Sequence, residues 1–375
     1  MTLNSLPVRS AGRQPRALIR IAGAIVPTPV SFEVSNNSHF EADTFRVSFA
    51  ASALPDDKNA AWFAMQKEIF IEVLAGFPTN PDRPDASELS SLIYGRVDDI
   101  SYDPLERTVE LTGRDLTAVF IDNKLAEQYV NRTASDVATL LAQSHGLTPV
   151  VTSTTETVGT YYKRDEVRLQ ANRSEWDLLT WLAREEGFIV YVKGQELHFE
   201  ANPRDTSDPY EIRWQRPTSD QGSPSSNAID IKFSRSLTVA KGITVVARSA
   251  SLTKKTPVVE SYPSAARAIQ AGKASPFGEV QAYYFTLPAG KNPTQVQAYA
   301  KLRYDEIIAH EMKATIRMPA DDLVGIRTPL RLSVTGTAFD QVYFPRSISR
   351  FMSLDEGYEM RIEAQNQNPD TVPNS

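Results

Sequence analysis

Residues able to do chemistry are few and scattered in this sequence. His39, His145, His198 and His310 are its four imidazoles, and no two stand close along the chain. His310-Glu311 lacks the second histidine that lets a zinc-protease helix present two ligands on one face, so all four read as isolated surface histidines. "AGKAS" and "AGKNP" hold Gly-Lys pairs without the leading glycine and trailing hydroxyl of a phosphate loop. No G-x-S-x-G elbow and no G-x-G-x-x-G turn occurs. The absence of cysteine removes thiol nucleophiles, thiolate metal sites and disulfides. Acid doublets do occur, at Asp56-Asp57, Asp98-Asp99, Glu185-Glu186, Asp305-Glu306 and Asp321-Asp322. Sequence neighbours on a strand point to opposite faces, so a doublet does not make the facing carboxylate pair of a glycosidase. Asp98-Asp99 reads as a strand terminus or turn, and Glu185-Glu186 as a solvated helix end. The expectation is no catalytic residue, no metal ligand and no cofactor.

Bulk properties narrow the class further. A chain of 375 residues exceeds what one core supports, and 41% hydrophobic with 23% charged residues is ordinary for a soluble globular protein. A formal charge of −6 argues against a general nucleic-acid binder, which needs basic surface to neutralise phosphates. "MTLNSLPVRSAGRQPR" has arginines but no apolar core, so it reads as no secretory signal, and the triplets "NNS", "NRT" and "NRS" are then idle as glycosylation sites. No apolar run approaches the ~20 residues that span a bilayer, so no membrane partner is expected.

The elements that would have to position any site are mostly strands. Residues 1–15 read as a flexible arm, and 16–119 as a first β-barrel domain. In "TFRVSFA", Phe45, Val47 and Phe49 alternate with Thr44, Arg46 and Ser48, the period of a half-buried strand. "KNAAWFAMQ" is a short helical patch, and "TNPDRPDASE" a polar loop. Residues 204–365 read as a linker and a second β-barrel domain. It carries a loop-rich insertion over 252–278 and a long helix over 293–311, capped by Asn292 with Pro293 at its first position. "KATIRM" and "PLRLSVTG" alternate as strands, and 366–375 reads as a disordered tail.

Between these lies a small helix-and-strand domain over 120–203. In "NRSEWDLLTWLAREEGFIVYVKGQELHFEA", Ser174 can cap a helix, Asp177 sits three residues on, and Gly187 can supply the left-handed stop. Leu178, Trp181 and Leu182 share a face, with Trp176 at the start. "FIVYV" and "ELHFE" read as strands joined at Lys193-Gly194. "TASDVATLLAQSHGLTPVV" echoes this forty-one residues earlier through Thr133, Asp136 and Gly146; a repeat and two ordinary well-capped helices both explain it.

Two segments carry a resemblance. "GRVDDISYDPLERTVELTGRDLTAVFIDNKL", with Gly95, Val97, Asp98, Asp99, Gly113, Arg114, Asp115, Leu116, Thr117 and Asp122, resembles the end of the first barrel in baseplate hub proteins of contractile phage tails. This is the late control protein D family, related to the N-terminal hub part of type VI secretion spike proteins. The stretch with Ser174, Trp176, Trp181 and Gly187 resembles the same family's middle domain. The resemblance implies an α+β, mainly β fold, with two tail-tube-like β-barrel domains flanking the small domain, and gives the motif residues structural roles. It implies a homotrimer whose two barrels per chain make a pseudo-sixfold ring. Implied partners are the sixfold tail tube protein or a tube-initiator ring, a threefold central spike and other baseplate proteins. DNA would pass through without specific binding. The setting implied is the tail baseplate of a virion, after synthesis in the cytoplasm of the infected bacterium. Because the chain has no β-helical needle before it stops, the spike is expected to be a separate protein. Alternatives are the tail-tip hub of a non-contractile tail, a cell-wall hydrolase using distant carboxylates, and a carbohydrate-binding adhesin.

Overall fold

The computed structural model describes residues 14–366 except 28, 39, 125–128, 130–131, 156–173, 202–207, 218–221, 223, 238–242, 252–255, 264–280, 288 and 309–310. The arm over 1–13, the tail over 367–375, His39 and His310 thus lie outside the described residues.

Alternating apolar residues build the first region. Its strands are β1 (Arg16–Ile21), β2 (Ala24–Pro27), β3 (Ser31–Asn37), β4 (Thr44–Ala50), β5 (Phe70–Gly76), β6 (Ser90–Asp103) and β7 (Thr108–Asp115). Helix α1 (Ala60–Met65) follows β4, and α2 (Thr117–Asp122) follows β7. Phe45, Val47 and Phe49 are buried while Thr44 and Arg46 are exposed, as a period of two requires. In space the strands run β2-β1-β5-β6-β7-β4-β3.

The small region holds α3 (Ala134–Ser144), β8 (Thr148–Val151), α4 (Glu175–Glu186), β9 (Phe188–Lys193) and β10 (Glu196–Ala201). Both helices begin with a full capping box, Thr133 with Asp136 and Ser174 with Asp177. Gly146 and Gly187 take φ of +73° and +70°, the left-handed stops that only glycine makes without strain. Lys193 pairs with Glu196, so the hairpin turn falls on Gly194-Gln195, one residue later than expected. Leu141 and Leu182 face one core, with Trp176, Leu178, Val190 and Phe199.

The C-terminal region opens with β11 (Tyr210–Gln215), β12 (Ser225–Ser226) and β13 (Asp230–Arg235). Next come β14 (Ile243–Ser249), β15 (Val258–Tyr262), β16 (Gln281–Leu287) and α5 (Pro293–Ile308). It ends with β17 (Met312–Pro319), β18 (Leu330–Ser333), β19 (Val342–Ser353) and β20 (Gly357–Gln365). The segment expected as a loop-rich insertion contributes β15 to a separate sheet, β15-β14-β16, on which α5 packs through Val296 and Ala300. The helix therefore serves this added layer. Asn366, expected in the disordered tail, is fully buried, and its Oδ1 accepts the Met312 N–H at 3.0 Å.

With that layer set aside, the C-terminal strands pair in the order β12-β11-β18-β19-β20-β17-β13. Replacing β1 to β7 by β11, β12, β13, β17, β18, β19 and β20 in turn converts one order into the other, pair for pair. The one difference is that β1 meets β5 antiparallel whereas β11 meets β18 parallel. The two seven-strand sets join where β3 runs antiparallel to the second half of β19, from Ser31 opposite Ser353 to Asn37 opposite Ser347. The result is one fourteen-stranded sheet over a continuous core containing Ile19, Val34, Phe45, Ile316, Tyr343 and Met360. Among the described residues neither set closes on itself: no pairing joins β2 to β3, or β12 to β13.

Candidate functional site

The residues marked by sequence gather at the corner where the β6–β7 hairpin meets α2. Gly95 and Gly113 lie on neighbouring strands beneath the Phe45 ring. A Cβ at Gly113 would come within 2.6 Å of the Phe45 ring edge and collide with the Arg96 carbonyl. One at Gly95 would collide with the Arg114 carbonyl. Both glycines are there so that two backbones and a ring can approach closely.

Around this seam sits a closed set of charges. Arg114 grips Asp98 with two parallel bonds, Nε at 2.6 Å and Nη2 at 3.0 Å, and reaches Asp122 at 3.3 Å. Arg96 also bonds Asp122. The Asp98 bond holds the Arg114 guanidinium well above its ordinary value, against partial burial. Partial burial works against ionised Asp122, yet bonds from Arg96 and Arg114 keep its carboxyl below the usual range. Two cations and two anions neutralise one another, so the quartet ties hairpin to helix and leaves no charge for a substrate.

Beneath it, Asp115 is buried and accepts from the Thr117 N–H at 3.1 Å and the Thr117 hydroxyl at 3.0 Å, which fixes the start of α2. The residue between them, Leu116, packs into the small region's core beside Phe120. Asp115 donates its own N–H to the Asp43 carbonyl, and Asp43 accepts from Asn36 Nδ2 at 2.8 Å and the Asn37 N–H at 2.7 Å. Asn36 Oδ1 in turn accepts from Arg350 of β19 at 3.0 Å. Burial pushes the Asp43 carboxyl up to about 6, against its bonds from Asn36 and Asn37 and the charge of Arg350. Burial, and then the charge of Asp43, hold Asp115 well above the usual carboxylate range. This polar line crosses the β3–β19 joint. Asn36, Asp43 and Arg350 gave no sequence signal, because their meeting depends on strands more than three hundred residues apart.

The second marked segment attaches to the first. Trp176 is buried and donates from Nε1 to the Phe40 carbonyl at 3.0 Å, in the β3–β4 loop. Phe40 holds φ at +89°, which a phenylalanine adopts only under constraint, and the Arg184 guanidinium lies 4.8 Å from its ring centre. Phe120 of α2 lies 6.3 Å from the Trp176 ring. Trp181 is half-buried at the edge of the same core. Of the expected surface histidines, the two described ones are mostly covered. His145 meets Glu175 at 2.5 Å, and His198 stacks on Tyr191 at 4.5 Å. Glu185 is no solvated helix end: burial raises its carboxyl, opposed by the charges of Lys291 and Arg303 on the added layer.

Asp99 stands apart from the quartet. Asp98-Asp99 forms no strand end, since β6 continues to Asp103 after a bulge at Asp98. Along the far edge of that extension runs a groove of about 420 Å³, lined by Phe63, Ile69, Val97, Ile100 and Tyr102. Lys67, Glu68, Asp98 and Asp99 also line it, and Asp98 is already held by Arg114. Among the described residues, no group of three His, Asp or Glu side chains is placed to hold a metal.

No protein-family model matches the chain, and no curated protein matches it. Solved structures do match in fold. A tail protein from Neisseria meningitidis superposes with a TM-score of 0.66 at 15% identity, over 96% of this chain and 100% of that one. A 43 kDa tail protein of prophage MuSo2 from Shewanella oneidensis gives 0.65 at 14% identity, over 94% and 98%. An E. coli component of the type VI secretion system, itself similar in structure to bacteriophage T4 tail proteins gp27 and gp5, gives 0.51 at 11% identity, over 95% and 79%. At these identities the likeness is one of fold, and that fold is the one to which the motifs at 95–125 and 174–199 pointed: that of phage tail proteins and of a type VI secretion component similar to them.

Proposed function

We propose that this chain is the hub of a phage-tail baseplate, three copies forming a ring that joins a sixfold tail tube to a threefold spike. One observation carries the reading. Each chain holds two seven-strand sets of the same pairing order, fused side by side through β3 and β19. Three such chains supply six equivalent sets, so one face can match six tube subunits while the whole keeps threefold symmetry. Each set acts as a barrel-like unit of the ring. The marked residues then have structural duties: Gly95, Gly113 and the Arg96–Asp98–Arg114–Asp122 quartet shape the end of the first unit. Asp115, Leu116 and Thr117 start α2, and Ser174, Trp176 and Gly187 set the helix that docks the small region. Three copies of −6 give −18 at neutral pH, which suits a channel that lets DNA slide without gripping phosphates. The role needs neither a catalytic group nor a cofactor.

End-on class averages of the purified chain by negative stain, with its mass from light scattering, test this reading. A particle of three chains with an open centre and six similar lobes is expected. A stable ring of any other copy number refutes the threefold hub.

A further inference from the structure

We propose that the free edge of β6 beyond its bulge receives strand β13 of a second copy of this chain, repeating between chains the β3–β19 joint found within one. The proposal rests on the ring reading above and names the surfaces that close the ring.

The strand duplication leaves one place unfilled. In the second set, β19 pairs with β18 at its start and with β3 along its end. In the first set, the corresponding strand β6 pairs with β5 only as far as Arg96. The Val97 N–H still donates to the Ile69 carbonyl at 2.9 Å; beyond it, one edge of β6 has its partner in β7, while the described residues put no strand on the other. β13 corresponds to β3, and among the described residues it pairs with β17 alone. Among the described residues each chain thus carries one filled joint, one empty acceptor and one unused donor. An open strand edge is a template for pairing with another chain.

The side chains agree with the register that the filled joint dictates. Counting back from the hairpin ends, Tyr102 and Ile100 of β6 occupy the places of Met352 and Arg350 in β19. Counting across the ladders, Phe32 lies beyond Val47 and Leu111, and Ile229 lies beyond Met318 and Met360, so Ile229 and Ile231 take the places of Phe32 and Val34. Met352 faces Phe32 and Arg350 faces Val34. Transferred, Tyr102 faces Ile229 and Ile100 faces Ile231. In the single chain Ile229 is 53% exposed, and Ile100 and Tyr102 are 39% and 46% exposed, although Leu111 and Val109, the β7 ladder partners of the last two, are fully buried. Arg350, which has its neighbour strand, is 4% exposed. On the opposite face the same register sets Asp99 against Lys232, a complementary pair. The groove beside Ile100 and Tyr102 is the room the strand would fill. Donor and acceptor lie on different sets, so the contact is head-to-tail and generates a ring when its rotation closes.

The native chain has no cysteine, which makes cross-linking clean. Asp99 and Lys232 correspond to Ser349 and Ser35, whose hydroxyl oxygens lie 2.8 Å apart, close enough for a disulfide. Asp99→Cys and Lys232→Cys chains, mixed and mildly oxidised, should form the mixed disulfide dimer as the main product. The off-register mixture of Ser101→Cys with Ser234→Cys should form at least tenfold less. Ile100→Arg, at an exposed position, should leave the circular dichroism unchanged and lower the assembled fraction at least tenfold. Light scattering on the unaltered chain reads copy number independently. Three-chain particles that give no Asp99→Cys to Lys232→Cys bond overturn the strand pairing and leave the hub reading intact. A bond forming in chains that never stop at three supports the pairing and sinks the threefold hub. Single chains that give no bond overturn the pairing.

Discussion

Replacing Trp176 by phenylalanine separates two things that this residue does. The ring stays large enough to fill most of its place among Phe120, Leu179 and Phe199, so little apolar burial is lost. What disappears is the 3.0 Å bond from Nε1 to the Phe40 carbonyl. Leaving a covered carbonyl without its donor costs about 1–3 kcal/mol. Phe40 also holds a left-handed φ of +89°, and removing a restraint lets that strain relax by loosening the β3–β4 loop. Trp176→Ala adds the cavity, for a total of about 3–5 kcal/mol. Trp181→Ala, at a half-buried position, should cost about half that. Urea titrations followed by hydrogen exchange at the β9–β10 amides report the small region specifically, which matters because several cores need not unfold together. Limited proteolysis near residue 40 reports the loop, and Trp176→Phe should speed cleavage there. A Trp176→Phe protein as stable as the parent with an unchanged loop, or a Trp181→Ala protein less stable than Trp176→Ala, would refute the assignment of Trp176 as the anchor.

Two further outcomes follow from the corner beneath the hairpin. Asp43 is pushed from its ordinary 3.8 to about 6, so between those values the folded chain binds more protons than the unfolded one. Its contribution therefore makes stability fall as pH rises from about 4 to about 6, by at most about 3 kcal/mol. Asp122, held low, contributes in the opposite sense, its share being lost only as pH falls through its folded value. Asp115, also held high, adds in the same sense as Asp43, so denaturant midpoints across pH 4–7 should fall less steeply in Asp43→Asn than in the parent. Gly113→Ala should cost about 1–3 kcal/mol through the Arg96 carbonyl and the Phe45 ring, and a melting temperature within a degree of the parent would contradict the close approach.

Local signals in the sequence placed local structure well. The alternation at Phe45, Val47 and Phe49 gave β4, and Ser174, Asp177 and Gly187 marked the ends of α4, because each depends on residues within one turn or one strand. Boundaries that depend on a distant partner were not legible. Asp98-Asp99 looks like a strand end, yet β7 holds β6 in the ladder to Asp103. Asn366 looks like tail, yet its side chain closes on Met312. The duplicated strand order was invisible for a stronger reason. What recurs is pairing, and the same place holds Ile100 in one set and Arg350 in the other. Gly113 and Arg114 stand in a motif that the sequence displays, whereas Asn36, Asp43 and Phe40 have roles that only the assembled sheet creates.

Ile100 and Arg350 differ for a physical reason. Inside one chain the joint is always formed, so a buried cation can be kept there provided it is answered. Arg350 donates to Asn36 Oδ1 and to the Val324 carbonyl, and its charge faces the Asp43 carboxyl. Such a set fixes register, because a strand slipped by one residue would bury the guanidinium without these acceptors. Between chains, an acceptor that must wait in water is better served by exposed apolar residues beside Asp99. Arg350→Met keeps the length and removes the charge, leaving Asn36 and Asp43 without their cation. Leaving covered acceptors without their donor costs about 1–3 kcal/mol, and the uncompensated Asp43 charge adds to that loss at pH 7. Below pH 6 Asp43 takes up a proton and no longer needs the cation, so the loss should shrink by pH 5. Denaturant midpoints at the two pH values decide it: a loss of equal size at both would mean that Arg350 acts by packing alone and that the joint owes nothing to its charge.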